Sequence, residues 1–124
     1  MIAVDSSTLV AYLQHELGQD VERFETQLAQ ANVVLPPVVI SEVTSARPDD
    51  PELLSLLSQL RPLTLLEGYW ERTGRLRFLI LSNGRKSRLG DALIAQSCID
   101  HNVALITRDT DFRHYAAHGG LTLA

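Results

Sequence analysis

The sequence predicts an α/β fold: a central, mainly parallel sheet of about five strands with helices on both faces. Short apolar runs, Ile2-Ala3-Val4, Val33-Val34-Leu35, Leu63-Thr64-Leu65-Leu66, Val103-Ala104-Leu105-Ile106 and Leu121-Thr122-Leu123, alternate with helical patterns along the chain. The clearest of them lack polar alternation, as strands buried on both faces do. Strands that alternate with helices imply crossovers between parallel neighbours. The 124 residues fit one domain, 1–124.

The elements follow in order. Ile2-Ala3-Val4 opens the sheet, and Ser6 or Ser7 can cap a helix through Leu9, Val10 and Leu13. Leu17, Val21, Phe24 and Leu28 recur at helical spacing, so a second helix is expected from about Gly18 to Asn32. After Val33-Val34-Leu35, Pro36-Pro37 breaks the strand, and Pro37 suits the first position of a helix carrying Val39, Glu42, Val43 and Ala46. Asp49 or Asp50 caps the next helix, whose stripe is Leu53, Leu54, Leu56, Leu57 and Leu60, with Pro62 as its stop. A helix from about Glu67 to Leu81 ends at Ser82-Asn83-Gly84. Another runs from Leu89 to His101. A short helix around Phe112 to Ala116 leads through Gly119-Gly120 to the last strand.

Composition narrows the class. Apolar content of 45% and charged content of 21% are those of a globular protein. No apolar run is long enough to span a bilayer, and no basic region precedes a hydrophobic stretch at the N-terminus. The single cysteine, Cys98, excludes an intrachain disulfide and reads as a small core residue, so a cytoplasmic setting is expected. The net charge of −4 argues against coating by nucleic acid over the whole surface, but a local basic groove remains open. Ten of the eleven basic residues are arginine, which binds phosphate bidentately. A GC-rich genome would give the same bias.

Four acids stand where apolar runs end or inside apolar segments: Asp5, Glu42, Asp91 and Asp109. Carboxylates beside core-forming segments are costly unless compensated. Two like charges ~4 Å apart repel by about 4 kcal/mol at an effective dielectric near 20. A divalent cation relieves that repulsion, and oxygen ligands suit Mg²⁺ or Mn²⁺. Asp5 and Asp109 lie just past the carboxyl ends of predicted strands, where open α/β sheets place their sites. Singly, Asp5 and Asp91 read as helix caps and Asp109 as a turn residue. Glu42, within an apolar helix, has no such explanation.

Four segments carry a resemblance. Ile2-Ala3-Val4-Asp5-Ser6-Ser7, Val39-Ile40-Ser41-Glu42-Val43, Leu89-Gly90-Asp91-Ala92-Leu93-Ile94-Ala95 and Thr107-Arg108-Asp109-Thr110-Asp111-Phe112 are similar, in that order, to the motifs of PIN-domain nucleases. The short chain most resembles the VapC-type toxins of toxin–antitoxin pairs. The resemblance implies a PIN-like three-layer α/β/α fold, a Mg²⁺- or Mn²⁺-dependent endoribonuclease, a homodimer, and inhibition by a small antitoxin. It assigns metal binding to Asp5, Asp91 and Asp109. Glu42 binds directly or through water, and Asp111 is a further candidate ligand or a helix cap. One of Ser6 and Ser7 supports the metal or its water, as does Thr107. Ser7 matches the more constant hydroxyl position. A water nucleophile activated at such a site leaves 5′-phosphate and 3′-hydroxyl ends. No histidine lies in the four motifs, against a metal-free attack by the 2′-hydroxyl.

Substrate contact is less legible. From Arg72 to Gly90 there are six basic residues and no acid. Arg85, Lys86 and Arg88, which run into Asp91, are RNA-binding candidates, with Arg108 beside the fourth motif. A solvated helix face is the bland alternative. Tyr69 and Trp70 suit base stacking or, more simply, packing. Two other readings remain: an RNA-processing nuclease without an antitoxin, and a non-catalytic partner-binding domain.

Overall fold

A computed structural model describes residues 1–124. Its elements are β1 (Ile2–Val4), α1 (Ser6–Leu13), α2 (Gln19–Ala29), β2 (Val33–Leu35), α3 (Pro37–Ala46), α4 (Pro51–Ser58), β3 (Arg61–Pro62), α5 (Tyr69–Ser82), α6 (Leu89–His101), β4 (Ala104–Ile106) and α7 (Phe112–Gly119). The four strands form one all-parallel sheet in the order β3-β2-β1-β4. The expected fifth strand shrinks to a single parallel bridge between Leu105 and Leu123. Because β1 is central, Asp5 leaves the sheet from its middle. Ile2, Ala3 and Val4 face Ala104, Leu105 and Ile106 in register, so β1 and β4 end side by side.

Successive residues of β1, β2 and β4 are buried on both sides of the sheet: Ala3, Val4, Val34, Leu105 and Ile106 are all at most 2% exposed. Helices therefore cover both faces, as the lack of polar alternation predicted. One core cluster joins these strands to Leu9, Phe24, Val39, Val43, Leu53, Ile80, Ile94, Phe112 and Tyr115. Cys98 is fully buried within it, and burial, then Asp5, pushes its thiol up to about 12. It is a packing residue, since a reactive cysteine needs a lowered value and access.

Four expectations are corrected. β3 is Arg61–Pro62, not Leu63–Leu66. It pairs only with β2, and a proline is tolerated on such an edge. Thr64, Leu65 and Leu66 are exposed beyond it. Leu17 lies outside α2 and is 93% exposed, because α1 stops at Leu13 and the chain turns through His15 and Gly18. In α4 only Leu53 and Leu56 are buried, with Leu57 partly so and Leu54 exposed. Trp70 is exposed, whereas Tyr69 is buried and donates its hydroxyl to the Leu93 carbonyl at 2.7 Å.

Candidate metal centre

Asp5 is the hub. It follows β1 directly and caps α1, its Oδ1 accepting from the Ser6 backbone N–H at 2.8 Å. Capping and site membership are thus not alternatives for this residue. Its Oδ2 accepts from the Ser7 hydroxyl at 2.6 Å and from the Thr107 hydroxyl at 2.8 Å. Of the three hydroxyls named in the sequence, those of Ser7 and Thr107 therefore hold this oxygen of Asp5. Ser6 reaches further. Its hydroxyl donates to Glu42 Oε1 at 3.0 Å and lies 3.3 Å from Asp5 Oδ1, so it links the carboxylates of Asp5 and Glu42. The side chain of Asp5 is only 3% exposed, yet its oxygens are served by donors, as burial of a charge demands.

The other acids come from neighbouring elements. Asp91 stands in the first turn of α6, where the helix dipole favours a negative charge, but the cap is Arg88, not Asp91. Asp109 follows β4; its backbone N–H donates to Thr107 Oγ1 at 3.0 Å and its Oδ1 accepts from the Asp111 N–H at 2.9 Å. Asp111 is the cap residue of α7 but makes no side-chain capping bond. Carboxylate oxygens of Asp91, Asp109 and Asp111 all lie within 4.8 Å of one another. Asp5, Glu42, Asp91 and Asp109 line one cleft together with Ser6, Ser7, Glu16 and Arg88. Gly90 permits the approach of α3 to α6: a Cβ there would stand 3.1 Å from Glu42 Oε2.

The electrostatics carry the mark of crowding. Burial, then the charges of Asp109, Asp5 and Glu42, raise Asp91 from 3.8 to about 6. Burial also raises Glu42; the Ser6 hydrogen bond works against this and the Asp5 charge adds to it. A set of hard oxygen donors that repel one another fits a divalent cation of the Mg²⁺ or Mn²⁺ type.

Among the basic candidates the structure brings only Arg88 to the cleft wall. Arg85 and Lys86 are exposed on the loop between α5 and α6. Of the same basic stretch, Arg72 is committed to Asp100 and Arg77 donates to the Ser87 carbonyl. Arg108 points to Asp20 and Glu16. Sequence reasoning missed Asp20, Glu16 and Gly90, since no periodicity or motif marks their partners.

An open parallel sheet with a carboxylate-lined cleft at the carboxyl ends of β1 and β4 defines a class: parallel α/β domains that gather acidic side chains at that end of the sheet. A PIN-domain family profile matches residues 2–118, and the chain belongs to the PIN domain family. PIN domains are nucleases, typically dependent on a divalent metal. The fold is similar to VapBC2 from Rickettsia felis bound to a promoter DNA fragment, with a TM-score of 0.75, 20% identity, and 100% of this chain and 98% of that one aligned. It is also similar to FitAcB from Neisseria gonorrhoeae, with a TM-score of 0.72, 18% identity, and coverage of 99% and 96%. FitAB bound to an IR36 DNA fragment follows with a TM-score of 0.71, 18% identity, and coverage of 100% and 94%. No curated protein sequence matches the chain.

Proposed function

We propose that the chain is a Mg²⁺- or Mn²⁺-dependent endoribonuclease acting as a single PIN-like domain, and the toxin of a toxin–antitoxin pair. The observation that carries the nuclease reading is the convergence of Asp5, Glu42, Asp91 and Asp109 on one cleft, with Asp5 held by Ser7 and Thr107. Asp5, Asp91 and Asp109 are the proposed metal ligands, with Asp111 as a further one and Glu42 direct or through water. A divalent cation held by these residues would lower the pKa of a water and stabilise charge developing on the phosphate.

The chain's own groups have separable tasks. Ser7 and Thr107 fix the rotamer of Asp5, and Ser6 sets the distance between Asp5 and Glu42. Glu42, which shares the Ser6 hydroxyl with Asp5, is placed to accept a proton from the attacking water. Arg88 supplies positive charge at the rim, where an RNA phosphate has to approach an acidic cleft. Arg85 and Lys86 extend that charge along the adjoining loop. Hydrolysis in this arrangement leaves 5′-phosphate ends.

The toxin reading is supported by the resemblance of the motifs and by the similarity of the fold to VapBC2 and FitAB assemblies. It carries with it a homodimer, a small protein antitoxin and a cytoplasmic setting. No helix is long and apolar enough to cross a membrane.

The test is cleavage of diverse RNAs by the purified chain freed of any partner. Cleavage with Mg²⁺ or Mn²⁺, lost with chelator and in Asp91→Asn, is expected. Inactivity of the metal-loaded wild type would favour a binding domain. Cleavage without growth arrest in cells would favour an RNA-processing nuclease.

A further inference from the structure

The loop that leaves β4 carries Thr107 and Asp109, and the side chain of the residue between them is tied down. Arg108 reaches the connection between α1 and α2. Its Nε donates to Asp20 Oδ2 at 2.9 Å and its Nη2 to Asp20 Oδ1 at 3.1 Å, a two-point fork. Its Nη1 donates to Glu16 Oε2 at 3.0 Å, and Nη2 also to the Leu17 carbonyl at 3.2 Å. Asp20 is itself fixed by the Thr8 hydroxyl of α1 at 2.9 Å. Gly18 leaves the room required: a Cβ there would stand 2.9 Å from Nη2 and 2.5 Å from Asp20 Oδ1.

Two consequences follow. These four bonds draw on the five N–H donors of the guanidinium, so little remains to bind a phosphate. And holding Arg108 holds its neighbours. Thr107 gives its hydroxyl to Asp5, and Asp109 gives its N–H to Thr107, so the anchor sits between two groups of the metal site. Glu16, which lines the same cleft, is paired by the same side chain.

We propose that Arg108 is a positioning residue: anchored on Asp20, it fixes the Thr107–Asp109 loop, and through it Asp5 and Asp109, in the geometry that takes the divalent cation. This rests on reading the cleft as a metal site. It also removes Arg108 from the RNA-contact candidates.

Charge and geometry make opposite demands, which allows a clean test. By charge alone, Arg108→Ala removes a cation near an acidic cleft and tightens Mn²⁺ binding, while Asp20→Asn removes an anion and loosens it. Positioning requires both to loosen it. The measurement is Mn²⁺ titration calorimetry on the purified chain, with circular dichroism to verify folding. Each substitution is expected to weaken Mn²⁺ about tenfold, the double mutant no further than either, because the two residues act as one unit. Arg108→Lys keeps the charge without the fork and recovers part of the loss. At saturating Mn²⁺ the KM for RNA stays unchanged.

Unchanged or tighter Mn²⁺ binding in Arg108→Ala overturns the assignment, as does a KM effect confined to Arg108. Should Asp20→Asn not fold, Arg108→Lys decides: an affinity equal to wild type overturns, a weaker one supports. Wild type and Asp91→Asn serve as the reference pair. If these two bind Mn²⁺ alike, the metal-site reading itself fails and takes this inference with it. If they differ while the Arg108 variants match wild type, only the inference fails.

Discussion

The Thr107 hydroxyl donates to Asp5 Oδ2 at 2.8 Å across 102 positions of the chain, from the end of β4 to the end of β1. The two strands lie side by side in register, so residues just past them meet without any loop having to reach. Ser7, one turn away, serves the same oxygen. Thr107→Val keeps the shape and deletes the donor. A hydrogen bond to a charged group is worth about 1.5–3 kcal/mol. With Ser7 still in place, cation binding should weaken by about 1 kcal/mol, roughly fivefold. Thr107→Ser restores it. Mn²⁺ titration of the three proteins checks this.

Asp91 predicts a pH dependence. Its folded-state carboxyl is raised from 3.8 to about 6, chiefly by burial and then by Asp109 and Asp5. Between those values the native state holds a proton that the unfolded state releases. The metal-free protein therefore loses stability as pH rises through that window. Asp91→Asn should raise the metal-free melting temperature at pH 7.5, by an amount equivalent to about 1 kcal/mol once screening of this partly buried group is allowed for. The gain should fade toward pH 4. For the same reason Mn²⁺ binding in the wild type weakens as pH falls below about 6, where protons compete for Asp91. Equal melting of the two proteins at pH 7.5 would count against a crowded acid site.

The Arg72–Asp100 pair ties α5 to α6 with a forked contact: Nε to Oδ1 at 2.9 Å and Nη2 to Oδ2 at 2.6 Å. Arg72, then the Gln96 hydrogen bond against the cost of burial, holds the Asp100 carboxyl below its usual 3.8. The contribution is whole above 3.8 and is lost as pH falls through the lower, folded value. Asp100→Asn should lower the melting temperature at pH 7. Its melting temperature should converge on that of the wild type in strong acid, as thermal melts across pH would register.

Arg88 is exposed, lines the cleft, and caps α6 without a side-chain bond. Arg88→Ala should therefore change stability by no more than about 0.5 kcal/mol. It should raise the KM for RNA several-fold and reduce the salt slope of binding by roughly 0.7, the share of one phosphate contact on a single strand. Steady-state cleavage over a salt series measures both.

How much of this was legible in the sequence depends on where a residue's partners lie. Strands β1, β2 and β4 and helix α6 announced themselves through apolar runs with polar ends, because the strands are covered on both faces and α6 buries Ala92 and the run Ile94 to Cys98. The edge strand did not. Arg61–Pro62 is exposed and reads as a stop, while Leu65 and Leu66, which look like part of a strand, are exposed past it. Leu17 fits a helical spacing that the chain does not use, since positive-φ His15 turns the backbone first. The acids were visible because charge is anomalous at the end of a buried strand. That Ser7 and Thr107 converge on one oxygen was not, for nothing local records a contact over 102 positions. Arg108 illustrates the limit: beside Asp109 it reads as a cation for RNA, yet its partner lies 88 residues away in α2.

The most direct measurement is induced expression of wild type and Asp91→Asn, scoring growth and mapping RNA 5′ ends in the same cells. The cleft described here predicts arrest and discrete new 5′-phosphate ends with wild type only. Arrest by both proteins without new ends would contradict it, and would mean that the acids are not the chemistry of this chain.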